Sequence, residues 1–385
     1  MTSNAEDTDP TADHTADPAA DTAAGPLAGF TVGVTAERRR DEMAALLRRR
    51  GARVVVAPTI SIVPLADDQA LHAATEACID LAPDIVVATT GIGFRGWMEA
   101  AEGWGLGERL RATLAGAQLL ARGPKPCGAI RAAGLSEGWA APTESSEEVL
   151  RRLLEQGIAG HRIALQEHGG PQPEFVAALR DAGATVVEVP VYRWTLPADT
   201  RPARRLVEQV LAGQIDAVTF TSAPAARALL QIAGPDVPAL LDRFRTATLA
   251  ACVGPVTAAP FAEHGVPISA PARYRLGALI KTVTDELPRR ATRLRVDGAT
   301  LELRGHAVVL DGELRALAPA SMSILSALAE RPGAVVPRQR LAGLLPRGTD
   351  GNAVDAALAR LRSALDPRKP IETVTKRGYR LRVDT

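Results

Sequence analysis

The feature that most constrains this chain is an internal duplication with a constant offset. An apolar strand-like segment, Phe30–Val34, is followed by a helical stretch near 42–50, then Gly51, a second apolar segment at Val54–Ala57, and Pro58. The same succession returns as Arg162–Leu165, a helical stretch near 174–181, Gly183, Val186–Val189 and Pro190, so that the glycines and the prolines are each 132 residues apart. Asp84-Ile-Val-Val-Ala-Thr-Thr90 reappears at that offset as Asp216-Ala-Val-Thr-Phe-Thr-Ser222, and Arg122-Gly123-Pro124 has its counterpart in Val253-Gly254-Pro255. Short apolar strands alternating with helices of roughly 10–15 residues mean βαβ units and parallel sheets. The fold class expected is therefore α/β, a two-lobed duplicated parallel-sheet body. Duplicated lobes of this type take ligand in the cleft between them, at the carboxyl ends of the strands.

Charge divides the 385 residues into three unlike parts. Residues 1–24 hold six acidic side chains and no Lys or Arg, and the Ala/Asp/Thr/Pro composition of 1–26 reads as a disordered acidic tail. From 289 to the end, 18 Lys+Arg stand against 10 Asp+Glu, which points to a polyanionic partner at the basic end. Cys78, Cys127 and Cys252 are widely spaced with no CxxC pair, so neither a disulfide framework nor a usual zinc pattern is expected. The chain has no apolar run of membrane-spanning length, and the expectation is a cytoplasmic protein with no membrane partner.

Candidate ligand-binding residues lie where the repeat places strand ends. Thr89, Thr90 and Gly91 in one copy, and Thr221 and Ser222 in the other, put small hydroxyls just before helices, where free N–H groups favour anions. Gly91-Ile-Gly93-Phe-Arg-Gly96 also fits GxGxxG, but its repeat partner has no glycine and no acidic residue closes the next strand, so no dinucleotide is expected.

The duplicated pattern, the Thr-Ser turns, Val253-Gly254-Pro255-Val256-Thr257-Ala258 and Val191-Tyr192 together resemble uroporphyrinogen-III synthase over about 27–287. The resemblance implies two lobes joined by a two-stranded ladder, one from 27–62 plus 194–287 and the other from 63–193. It also implies closure of linear hydroxymethylbilane with loss of water, with no metal and no cofactor. Tyr192 would assist departure of the hydroxyl; its repeat partner is Ile60. Thr257 matches the family's Val-Gly-x-x-Thr, whereas the first copy reads Arg122-Gly123-Pro124-Lys125-Pro126. That change removes a hydroxyl and adds Arg122 and Lys125, both suited to carboxylates. Gln166-Glu167-His168-Gly169-Gly170 replaces the family's Gly-Asn turn, and Gly169 is carried over as a ligand-binding position.

Residues 294–385, after a short linker at 288–293, read as small antiparallel strands, three helices and a closing hairpin. Asp311-Gly312, Leu314, Leu317, Val354-Asp355, Leu358, Arg360-Leu361-Arg362, Leu365, Thr373-Val374 and Gly378-Tyr379 resemble the α+β winged-helix DNA-binding domain of OmpR/PhoB-type regulators. The resemblance implies that Asp355, Ala356 and Arg360 face base edges, that Arg362 holds phosphate, and that Lys376 and Arg377 reach the backbone or minor groove. A fusion of these two kinds resembles actinobacterial regulators of nitrate and nitrite assimilation. The expectation is a transcription regulator whose synthase-like cleft binds a small anion or linear tetrapyrrole, with double-stranded DNA as partner and dimerisation on DNA left open. The alternative is an active synthase that also binds DNA.

Overall fold

A computed structural model describes residues 25–64, 69–345 and 352–384; the acidic stretch 1–24, expected to be a tail, lies outside the described residues. In the first half of the body the strands are β1 (Thr31–Val34), β2 (Arg53–Val56), β3 (Ser61–Pro64), β4 (Ile85–Ala88), β5 (Gln118–Ala121) and β6 (Trp139–Ala140). The second half supplies β7 (Arg162–Gln166), β8 (Thr185–Val189), β9 (Tyr192–Thr195), β10 (Ala217–Phe220), β11 (Leu249–Cys252) and β12 (Ile268–Ser269). The C-terminal segment adds β13 (Thr292–Val296), β14 (Ala299–Arg304), β15 (Ala307–Leu310), β16 (Glu313–Ala316), β17 (Ile371–Val374) and β18 (Gly378–Leu381).

The described residues form two compact units, one from those up to 57 together with those from 201 onward and one from those within 58–200. The second unit has a parallel sheet in the order β6-β5-β4-β7-β8, and the first has β12-β11-β10-β1-β2. These orders are identical once the 132-residue offset is applied. Each sheet takes two strands from one copy of the repeat and three from the other, and the junctions are the parallel pairs β1 with β10 and β4 with β7. Antiparallel pairing of β3 with β9 lies where the chain enters and leaves the second unit.

Both faces of each sheet are covered, which explains the unbroken apolar runs. In β4, Val86 and Ala88 enter one core with Phe94 and Trp97, while Ile85 and Val87 enter another with Leu165 and Val176. In the first unit, Val218 and Phe220 pack with Phe244 and Phe261, and Val32, Val34 and Ala217 pack with Leu279 and Val283 on the opposite face. Residues 288–293, expected as a linker, are instead the end of the helix Leu276–Arg290 and the start of β13, with Ala291 between them.

The C-terminal segment builds its own core, with Val296, Leu301, Ile324, Leu328, Leu358, Leu361 and Leu381 buried together. A four-stranded antiparallel sheet, β13 to β16, precedes the helices Pro319–Ala329, Arg338–Ala342 and Ala353–Ala364. The hairpin β17–β18 closes it, and Val336 bridges to Tyr379 in both directions, at 2.7 and 3.0 Å. The helices, the antiparallel sheet and the terminal hairpin form a winged helix.

Thr219 sutures the β1–β10 junction. Its buried hydroxyl donates to Gly33 O at 3.0 Å, and its carbonyl accepts from the Thr35 hydroxyl at 2.8 Å. Thr219→Val keeps the shape and removes the first bond. We expect a loss of about 1 kcal/mol, seen as a lower urea midpoint with an unchanged denaturant slope.

Candidate ligand site and nucleic-acid interface

At the carboxyl edge of the second unit's sheet, β4, β5 and β7 end side by side, and each delivers polar groups. Thr89 follows β4 but is 2% exposed, and its hydroxyl donates to Gln166 O at 2.9 Å. It ties two strands together and does not face a ligand. Thr90 is the N-cap of the helix Gly91–Gly103: its hydroxyl oxygen accepts from Gly93 N at 3.2 Å and from Gln166 Nε2 at 3.0 Å. Gly91 is needed for packing, because a Cβ there would collide with the Lys125 carbonyl. Lys125 itself is exposed.

Arg122 leaves the end of β5, where its N–H extends the ladder to Ala88 O at 3.0 Å. Its guanidinium is partly buried and makes no hydrogen bond or ion pair among the described residues. Burial lowers its proton affinity, against the pull of Tyr192 and Glu144 nearby. Two prolines after it, Pro124 and Pro126, fall in the first turn of the helix Pro124–Ala132, where no intrahelical N–H is required. The substitution of proline for the family's threonine therefore costs the helix nothing.

Beyond β7 the backbone turns at Gly169 with φ +93°, and a Cβ there would run into the Trp194 indole. Gly169 also bridges to Arg193, which brings the buried Tyr192 alongside this turn. Two further members of the edge carry no sequence signal as ligand groups. Gln166 is fully buried with Oε1 unpartnered, and the His168 Nδ1 is buried without a partner. Burial, and then the positive charge of Arg122, push the His168 ring down to about 4. A neutral imidazole and an amide oxygen, each with a buried atom lacking a partner, stand at one sheet edge with a partly buried guanidinium. Buried polar groups normally find partners, so this set is chemically suited to an anion bearing its own donor.

In the first unit, Ser222 is the N-cap of the helix Ala223–Ala233, accepting from Ala225 N at 3.4 Å. Thr221 precedes it at the end of β10, and Thr257 lies buried in the helix Pro255–Ala262. Val256 and Tyr274 are conspicuously exposed here, at 75% and 51%, and the Tyr274 ring covers Gly254 closely enough that a Cβ would meet it at 2.9 Å.

On the winged helix, Val354, Leu358 and Leu361 face the core, and Asp355, Ala356, Ala359, Arg360 and Ser363 form the exposed stripe of the helix Ala353–Ala364. Asp355 is already engaged: Arg338 Nη2 donates to it at 2.8 Å and the Tyr379 hydroxyl at 3.2 Å, and Arg338 holds its carboxyl below the usual range. Arg362, expected on phosphate, instead donates to Thr373 Oγ1 at 2.8 Å and lies 5.9 Å over the Tyr379 ring, pinning the helix to the wing. Lys376 and Arg377 are exposed at the hairpin tip, Lys376 with φ +59°. Of the expected DNA contacts, Ala356, Arg360, Lys376 and Arg377 are exposed, and their side chains make no hydrogen bond or ion pair among the described residues.

The fold thus defines a duplicated, strand-exchanged α/β body carrying a winged helix. Residues 41–281 match the family Uroporphyrinogen-III synthase HemD, and residues 312–381 match the family Transcriptional regulatory protein, C terminal. The chain belongs to the uroporphyrinogen-III synthase HemD family, with a C-terminal winged helix of the OmpR/PhoB type. The body is similar to the crystal structure of a mutant uroporphyrinogen III synthase from the extremely thermophilic bacterium Thermus thermophilus, with 29% identity and TM-score 0.57, covering 68% of this chain and 100% of that one. It is also 27% identical over 252 residues to the Bacillus subtilis (strain 168) protein YjjA, which is 65% of this chain and 93% of that one.

The His168 environment has a measurable consequence. With its folded value near 4 and an unfolded value near 6.5, the unfolded chain alone binds the proton between those limits. Stability should therefore fall as pH drops from about 6.5 to about 4, by on the order of 2–3 kcal/mol. Urea titrations of the wild type and His168→Gln at pH 7 and pH 5 should show the pH dependence reduced in the variant.

Proposed function

We propose that this protein is a DNA-binding transcription regulator whose synthase-type body binds an anionic or linear tetrapyrrole-type ligand. The coarser part rests on the fusion itself, since a HemD-family body and a transcriptional-regulator C-terminal domain occupy one chain. The ligand part is supported by one observation above the others: Arg122 is a partly buried cation whose guanidinium makes no hydrogen bond or ion pair among the described residues, with Glu144 attracting it from a distance. A guanidinium partly shielded from water attracts an anion more strongly than an exposed one, and a planar carboxylate matches its fork of donors. Gln166 and His168 supply the directional groups at the same sheet edge, and Thr90 a further polar position there.

For DNA, Arg360 is the side chain suited to guanine, with Ala356 and Ala359 leaving room for thymine methyls beside it. Asp355 holds Arg338 and Tyr379 in place, and Lys376 and Arg377 serve the phosphate backbone. Double-stranded DNA selected from a random pool by the wild-type chain is the test substrate. Arg360→Ala should weaken that complex by about 1–3 kcal/mol and relax one position of the selected site. Equal affinity and unchanged selection would remove the recognition-helix assignment.

The ligand site is tested by titrating His168 by NMR in acetate and in chloride at equal ionic strength. Acetate paired with Arg122 should raise the His168 pKa, and Arg122→Gln should abolish that rise. Family membership and the burial of Tyr192 beside Arg122 favour a second reading, retained synthase activity. With freshly generated hydroxymethylbilane it predicts type III isomer above a no-protein control, and at least about tenfold slower formation in Tyr192→Phe.

A further inference from the structure

Within the first unit, one contact joins the synthase-type sheet to the winged helix. The turn between β14 and β15, Gly305-His306, lies against the amino-terminal edge of that sheet, the edge away from Thr221 and Ser222. His306 N donates to Gly29 O at 2.9 Å, and its Nδ1 is 3.3 Å from the Thr31 hydroxyl. Arg304 Nη1 donates to Ala28 O at 2.8 Å, its Nε donates to Glu302 at 2.8 Å, and its guanidinium lies 5.4 Å from the centre of the Phe30 ring. Arg304 and Glu302 are 12% and 11% exposed, so this is a charge pair held largely out of water, not a surface ion pair.

The fit is tightest at Gly305. A Cβ there would overlap the Asp216 carboxylate, closer than non-bonded atoms come. Asp216 is itself fixed, because its Oδ2 accepts from Thr31 N at 2.7 Å and its N–H donates to Thr31 O at 2.9 Å. Gly29, with φ +89°, is hemmed in from the other side, since a Cβ would lie 3.1 Å from both Arg304 Cβ and Ala307 Cβ. Glycines thus stand on both faces of the contact: a side chain at Gly305 would collide with Asp216, and one at Gly29 would require Arg304 and Ala307 to give way. With no free linker between the helix Leu276–Arg290 and β13, the domain is held at two points.

Asp216 immediately precedes strand β10, and Thr221 and Ser222 follow its opposite end. We propose that the amino-terminal edge of this sheet is a built docking surface for the winged helix, and that β10 carries changes at its Ser222 end to the Gly305-His306 turn. The transmission half rests on the regulator reading above; the docking surface does not. β10 is the central strand of its sheet, buried throughout and bonded on both sides, so it moves as a unit with its ends.

The test uses the full chain and two readouts. Gly305→Ala should accelerate hydrogen exchange at Thr31, His306 and Leu317 at least about tenfold while exchange in 58–200 stays unchanged. If the variant fails to fold by circular dichroism, Arg304→Ala takes its place with the same expectation. Unchanged exchange at those amides overturns the dock. For transmission, Ser222→Asp keeps an N-cap and places a fixed anion at the far end of β10. It should change affinity for the selected duplex by about fivefold or more, and by much less in the Gly305→Ala background. No change in affinity, or equal changes in the two backgrounds, overturns transmission. A wild-type chain that selects no duplex would instead fail the regulator reading, and the exchange experiment would still decide the dock.

Discussion

Everything in the body depends on parallel pairing between strands of different repeat copies. Neither copy closes a sheet alone: β1 and β2 of the first need β10 of the second, and β7 and β8 of the second need β4 of the first. A strand of four residues contributes few hydrogen bonds, so each sheet is secured by burial of both faces and by side-chain sutures at the junctions. Thr219 to Gly33 and Thr89 to Gln166 are those sutures, one in each unit, and each hydroxyl is buried. The exchange also decides which residues share an edge. Strand ends from two copies converge on one edge, which is how Arg122 of the first copy comes to stand beside His168 of the second.

The edge of the second unit is the more altered of the two. Proline stands at 126 where the second copy of the repeat has Thr257, without loss to its helix, and the residue after β5 is an arginine where the second copy has Val253. Those two differences make this strand end cationic where its repeat counterpart, Val253 with Thr257, carries a hydroxyl. In the first unit Thr257 remains, and its helix begins with the same Gly-Pro pair. One duplication has thus kept its hydroxyl character in one sheet and shifted charge in the other.

Strands and helices were legible in the sequence because apolar runs and Gly/Pro punctuation repeat at one offset. The sheet order was not, since pairing partners 185 residues apart leave no local trace; only resemblance to a family supplied it. At the candidate site, the places of Arg122 and Thr90 at strand ends could be read from the repeat. Thr89 could not, because a hydroxyl facing a ligand and one facing a neighbouring carbonyl look alike in sequence. Gln166 and His168 were visible only as an unusual turn, and their unsatisfied atoms exist only once β4, β5 and β7 are adjacent. On the winged helix, spacing identified the exposed stripe but could not foresee that Arg338 and Tyr379 would occupy Asp355, or that Thr373 would take Arg362.

The continuity of the helix Leu276–Arg290 into β13 has a geometric consequence of its own. A helix advances about 1.5 Å and turns about 100° per residue, so the winged helix is set in phase with the sheet that the helix covers. One residue gained or lost between Leu279, packed against that sheet, and Thr292 would rotate the whole domain by more than a quarter turn. A flexible tether tolerates changes in length; this junction behaves like a keyed shaft, where length is orientation.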